Sequence, residues 1–284
     1  MPVAAGDRRG FLSCAMAAGI AAFAVPARAP HAQAVATSGE GLRTAEVRIP
    51  TRDGSLPAYM AAPAGRSGLG TILVVHEIWG LNESIADVCR RHARAGWLAI
   101  APDLFARQGS PPAFQSLAHL MDGLVSRIDD RQVLADLDAT ARYANVNGGD
   151  IDHLGVTGFG WGGRIAWLYC AHNPLLRTGV VWCGDLTGPA SPLQPLQPLE
   201  IAARLACPVL GLYGADDAGI PVAAVEQMRT RLAGGNASAR SSEIVIYPGA
   251  PHAFYAPERP SYRKAAAEDG WKRSVNWLRQ HVGV

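Results

Sequence analysis

One short stretch constrains this chain more than any other. It runs Leu154-Gly155-Val156-Thr157-Gly158-Phe159-Gly160-Trp161-Gly162-Gly163-Arg164-Ile165-Ala166. An apolar run enters a glycine-dense turn and an apolar helical pattern leaves it, the order of a strand, a sharp turn and a helix. The spacing Gly158-x-x-x-Gly162 is that of a nucleophile elbow, in which a Ser or Cys between flanking glycines is lifted onto a strained corner. Here the residue between them is Gly160. The elbow is present and its nucleophile position carries no side chain.

The rest of the chain supplies elements that could surround such an elbow. Thr44–Ile49 alternates apolar and polar, and Leu56–Ala61 follows an Asp53-Gly54 turn, so an antiparallel hairpin is expected at a sheet edge. Thr71–His76 is a continuous β-branched run suited to a strand buried on both faces. Glu83–Ala95 has helical spacing and stops at Gly96; Trp97–Ala101 is a strand closed by Pro102-Asp103. A weakly marked helix is expected over Pro111–Val125 and a clear amphipathic one over Asp129–Val146. After the elbow come strands at Thr178–Cys183, Val209–Tyr213 and Glu243–Tyr247, helices at Val222–Leu232 and Tyr262–Val282, and a proline-rich loop over Gly184–Leu199. Strands alternating with helices predict an α/β fold: a doubly wound, mostly parallel sheet with helices on both faces. Ligands bind such sheets beyond the carboxyl ends of the strands, and Glu77, Gly160, Asp217 and His252 all follow strands.

The beginning of the chain reads differently. Arg8-Arg9 is followed by Gly10-Phe11-Leu12, a small apolar run to Val25, and an Ala-x-Ala site at Ala32-Gln33-Ala34. That order is an export signal of the twin-arginine type over residues 1–34, with a periplasmic or secreted destination. Its apolar run is too short to span a membrane. A small polar linker over residues 35–43 and one domain over residues 44–284 complete the expected organisation, and a monomer is expected. The 284 residues are 49% hydrophobic, enough for a sizeable core; 18% charged residues and a net charge of +2 exclude a nucleic-acid surface. Cys89, Cys170, Cys183 and Cys207 lie in apolar patterns without metal-ligand spacing, which reads as buried free thiols.

Acyl transfer needs a nucleophile, a base, an acid that orients the base, and donors for the oxyanion. Gly160, Asp217 and His252 stand in the order nucleophile, acid, histidine. Five stretches then make a resemblance specific: His76-Glu77-Ile78-Trp79-Gly80-Leu81-Asn82, Pro102-Asp103-Leu104-Phe105-Ala106-Arg107, Gly158–Arg164, Gly214-Ala215-Asp216-Asp217, and Pro251-His252-Ala253-Phe254. In these, nearly along its whole mature length, the chain resembles the dienelactone hydrolase family of the α/β-hydrolase fold. The resemblance implies a hydrolase of small esters or lactones that needs no cofactor or metal. It implies His252 as general base and Asp217 as its orienting acid, with Asp216 the alternative by position. Glu77 would contact the nucleophile, the backbone N–H groups of Ile78 and Trp161 would form the oxyanion hole, and Arg107 would bind a substrate carboxylate. An ion pair is an equal reading of Arg107.

Two positions depart from the family pattern. Ala256 stands where a second carboxylate-binding arginine is expected, and Gly160 stands where the family has cysteine. From sequence position alone neither Cys170, further along the elbow helix, nor Cys183, ending the neighbouring strand, fills that role. The vacancy leaves three readings: a catalytically weak homologue, an altered form of an active enzyme, or a water in the vacated volume activated by His252 or Glu77. A binding protein that kept the pocket and lost the chemistry is the competing function. Gly158-x-Gly160-x-x-Gly163 also spells a dinucleotide fingerprint, with Asp185 placed for a ribose. The bulk of Phe159 and Trp161, and the unexplained Glu77, Asp217 and His252, rank that NAD-binding oxidoreductase reading below the hydrolase.

Overall fold

Leu69–Val75 (β3) is buried at every position, as its unbroken apolar run demands of a strand covered on both faces. It lies inside an eight-stranded sheet of order β1-β2-β4-β3-β5-β6-β7-β8. The computed structural model describes residues 37–283; the expected export signal lies outside the described residues. β1 (Leu42–Thr51) and β2 (Gly54–Pro63) form the antiparallel hairpin, with β1 at the edge, and β2 is antiparallel to β4 (Leu98–Pro102). From β4 onward every pairing is parallel: β5 (Gly149–Phe159), β6 (Leu176–Trp182), β7 (Val209–Gly214) and β8 (Glu243–Tyr247) continue the sheet.

Helices cross between the strands, as parallel pairing requires. α1 (Glu83–Arg94) starts where the Asn82 side chain accepts the Ile85 N–H and ends before Gly96, whose φ of 112° suits glycine. The expected helix over Pro111–Val125 is broken: a single 3₁₀ turn at Pro111–Ala113 gives way to α2 (Leu117–Gly123). Phe114 takes an extended backbone between the two pieces. α3 (Asp130–Val146) and α4 (Trp161–His172) follow, then a short α5 (Pro198–Ile201) closing the proline-rich loop. α6 (Val222–Ala233), the short α7 (Ala237–Arg240) and α8 (Lys264–His281) complete the layers. No helix among the described residues is long and apolar enough to cross a membrane.

The register sets the level of the functional ends. Val75 pairs with Gly158, Phe159 with Trp182, and Trp182 with Leu212. The residues immediately after β3, β5, β6 and β7 therefore emerge side by side at one edge of the sheet. The proline-rich loop is tied down there. Arg164 of α4 makes a buried two-pronged ion pair with Asp130 at 2.8 Å and 2.8 Å, and also donates to Gln197 Oε1 and Leu196 O.

Candidate active site

The turn from β5 into α4 is tight enough that its glycines are obligatory. A Cβ on Gly158 would lie 2.0 Å from the Gly162 carbonyl oxygen, and one on Gly162 would lie 2.4 Å from the carbonyls of Val75 and His76. Gly160 itself has φ 53° and ψ −117°, outside ordinary L-residue space, and opens α4. This is elbow geometry, and it accounts for the glycines that also spell the dinucleotide pattern. A Cβ at position 160 would meet, among the described residues, only His252 Nε2, at 3.6 Å. A thiol there would reach the imidazole.

That imidazole is held from its other side. His252 Nδ1 donates to Asp217 Oδ2 at 2.7 Å, which makes Nε2 the acceptor nitrogen of the neutral ring. The Asp217 carboxylate is fully buried, and its Oδ1 accepts the N–H groups of Gly219 at 2.9 Å and Ile220 at 3.1 Å. Of the two candidate acids, the structure brings Asp217 to His252. Burial pulls the His252 pKa down, but the hydrogen bond and charge of Asp217, with the fields of Asp185 and Glu77, outweigh it and hold it above the ordinary histidine value. Asp185 follows β6, and burial raises its own pKa.

Trp161 follows Gly160 directly, and Ile78 lies two residues after His76, whose carbonyl sits 2.4 Å from where a Cβ on Gly162 would be. Trp161 is the first residue of α4, so its N–H has no acceptor within the helix and lies at the positive end of the helix dipole. Among the described residues neither its N–H nor that of Ile78 donates to a backbone acceptor. His76 braces both. Its fully buried ring donates from Nδ1 to Glu77 O at 2.7 Å, accepts the Leu104 N–H at Nε2 at 3.0 Å, and stacks on Trp161 at 5.6 Å. Burial depresses its pKa, consistent with that neutral ring.

Glu77 accepts from Tyr255 Oη at 2.8 Å and from Arg259 Nη2 at 2.6 Å. Arg259 lies three residues beyond Ala256, where an arginine is expected by resemblance, so position-by-position reading missed it. Arg107 is engaged elsewhere: it donates to Asp53 at 2.7 Å and 2.8 Å and to Asp136 at 2.6 Å and 3.0 Å. The interaction the structure shows for Arg107 is that ion-pair cluster.

Cys183 is the second residue that sequence position did not reveal. It follows β6 with φ 47°, rare for a residue with a Cβ, and is fully buried. Its sulfur, an Asp217 oxygen and a His252 nitrogen all lie within 4.8 Å of one another, the one His/Cys/Asp/Glu grouping among the described residues compact enough to share an ion. Its positive φ is not encoded by any sequence motif.

A mostly parallel sheet, a glycine elbow after β5 and a buried carboxylate–imidazole pair beyond the strand ends define an α/β-hydrolase fold. Residues 56–282 match the model of the dienelactone hydrolase family, and the chain belongs to that family. It is 46% identical over 276 residues to a Methylorubrum extorquens protein named "Putative carboxymethylenebutenolidase", covering 97% of this chain and 93% of the relative. An Escherichia coli K12 protein of the same printed name is 48% identical over 260 residues, covering 91% and 95%. The crystal structure titled "Putative Dienelactone Hydrolase" from Klebsiella pneumoniae superposes with a TM-score of 0.82 at 48% identity, over 84% of this chain and 99% of that one. The enzyme class carried by the family is a carboxylic ester or lactone hydrolase.

Proposed function

We propose that this chain is an exported dienelactone hydrolase-like enzyme that cleaves a small ester or lactone by acyl transfer. The observation that carries the reading is the 2.7 Å Asp217–His252 pair, with Nε2 aimed at the elbow position 160. His252 serves as base and then as acid, Asp217 fixes its tautomer and stabilises the imidazolium, and the N–H groups of Ile78 and Trp161 receive the oxyanion. Glu77, held by Tyr255 and Arg259, adds its charge to the field that holds the His252 pKa up. With Arg107 occupied and Ala256 apolar, a neutral substrate suits the site better than an anionic one. The absence of a side chain at Gly160 favours a second reading, a binding protein that retains the pocket without turnover.

The test compares hydrolysis of 4-nitrophenyl acetate and simple lactones by the chain itself, Gly160→Cys and Gly160→Ser, each with and without His252→Ala. Hydrolysis that depends on His252 is expected. If no variant, Gly160→Cys included, turns over any small ester or lactone, the enzyme reading fails and the binding reading takes its place. Export is read from the N-terminus of the secreted protein: mass spectrometry is expected to find it at Val35, and an intact Met1 would refute the signal.

A further inference from the structure

We propose that Cys183 supplies the nucleophile that position 160 lacks, forming with His252 and Asp217 a displaced Cys-His-Asp triad. The inference rests on the hydrolase reading above. Four observations carry it. The sulfur lies within 4.8 Å of both partners of the catalytic pair. The two turns are hydrogen-bonded neighbours, since Gly160 N–H donates to the carbonyl of Trp182, the residue before Cys183, at 2.9 Å. Cys183 holds φ 47° just after β6, beside the φ 53° of Gly160 just after β5, so two adjacent strand ends each carry a residue at positive φ. The volume of the missing side chain at 160 is bounded within 4 Å, among the described residues, by His252 Nε2 alone.

The geometry also explains how such a thiol is restrained. Burial pushes the Cys183 thiol up, and the charge of Asp217 adds to this, while the Ala253 and Gly214 N–H groups pull it down. The resting state is therefore a protonated thiol. Catalytic hydrogen bonds of this kind tighten in the complex with substrate. In the proposed cycle the ester carbonyl enters through the space over Gly160. The S–H proton passes to His252 Nε2 as sulfur attacks the carbonyl carbon, and the carbonyl π pair moves to oxygen, held by Ile78 and Trp161. Collapse breaks the C–O bond, and the leaving alkoxide takes the proton from the imidazolium. Water then gives a proton to His252 and attacks the thioester; the C–S bond breaks and the thiolate recovers the proton.

The other cysteines make internal controls. Cys89 lies on α1, and Cys170 and Cys207 contact each other, Cys207 Sγ lying 4.0 Å from Cys170 O. The experiment is acyl trapping on the unaltered chain: incubation with 4-nitrophenyl acetate, acid quench, and peptide mass spectrometry, beside rates for Cys183→Ala, Cys183→Ser, Cys170→Ala and Cys207→Ala. We expect acetyl on Cys183 alone, a loss of about 10³-fold or more in kcat for Cys183→Ala, and unchanged rates for the other two alanine variants. Trapping on the unaltered chain does not depend on how the variants fold. If the chain turns over through His252 but Cys183 carries no acyl group and Cys183→Ala keeps its rate, a water is the nucleophile and this inference is overturned while the hydrolase reading stands. The same split follows if only Gly160→Cys is active. Inactivity of every variant removes both.

Discussion

His92, on α1, is a buried base with nothing to hold its proton, and its effect on acid stability can be worked out from the structure. Its ring is fully buried between Trp97, 5.8 Å away, and Trp271, 4.8 Å away. Neither ring nitrogen has a hydrogen-bond partner among the described residues. Burial, helped by the charge of Arg91, lowers its pKa from 6.5 to about 3. In the unfolded chain the ring protonates near 6.5, in the fold only near 3, so between these values the unfolded state binds the extra proton. Stability contributed by neutral His92 is thus present above pH 6.5 and lost as pH falls below it. At about 1.36 kcal/mol per unit, the loss between pH 8 and pH 5 is about 2 kcal/mol. Replacing His92 by Leu removes that pH dependence, and also removes an unsatisfied buried N–H worth about 1–3 kcal/mol. Urea unfolding at pH 8 and pH 5 measures both. The expected result is a pH 8-to-5 stability loss about 2 kcal/mol smaller in His92→Leu than in the parent, with groups such as His76 cancelling in the comparison. Equal pH dependence in the two proteins, or an NMR titration of His92 near pH 6.5, refutes the reasoning.

Further outcomes follow from the site and its supports. Because His252 must be neutral to act as base and its pKa is held above the ordinary value, the pH–rate profile should rise on a limb above pH 6.5. The same raised pKa contributes stability present below the unfolded value and lost as pH climbs through the folded one. Asp217→Asn should shift the kinetic limb to lower pH and reduce kcat by about 10⁴-fold, since the amide neither fixes the tautomer nor stabilises the imidazolium. Arg164→Ala should cost about 3–5 kcal/mol in urea unfolding, because it leaves the buried Asp130 carboxylate unpaired.

Most of the fold was legible because burial imposes a period. The apolar run of β3, the Asp53-Gly54 hairpin and the helical spacing after Asn82 each announced an element that is present. Boundaries strayed where local chemistry competes with periodicity. β5 begins at Gly149 rather than Leu154, with an irregularity between Leu154 and Gly155, and the weak helix near Pro111 splits at Phe114. In the site, motif spacing located Gly160, Asp217 and His252, because each lies at a strand end whose order is fixed along the chain. It did not locate Arg259 or Cys183. Arg259 arrives on Glu77 through a loop whose path no residue-by-residue match predicts. Cys183 meets the Asp217–His252 pair because β6 pairs with β7 in a particular register. Contacts between strands far apart in sequence are set by that register, which one chain's spacing does not carry. Arg107 illustrates the converse: its position matched a motif, but its partners, Asp53 and Asp136, lie 54 and 29 residues away.

Glycine at position 160 is itself a stability statement, and it can be separated from the chemistry. A residue with a Cβ at φ 53° and ψ −117° is strained, at about 1–3 kcal/mol, and persists in active elbows because the surrounding structure holds it there. Space is not the obstacle, since the nearest described atom to a Cβ is His252 Nε2 at 3.6 Å. Gly160→Cys should therefore fold, with a urea midpoint lowered by the equivalent of about 1–2 kcal/mol. Gly162→Ala should fare much worse, because its Cβ would meet backbone of β3 and His76 at 2.4 Å, which cannot move without shifting the strand that leads to Glu77 and Ile78. The comparison distinguishes backbone strain from steric exclusion within one turn. If Gly160→Cys proves as damaging as Gly162→Ala, the elbow is not the relaxed form of a nucleophile corner, and the volume beside His252 is not available to a thiol.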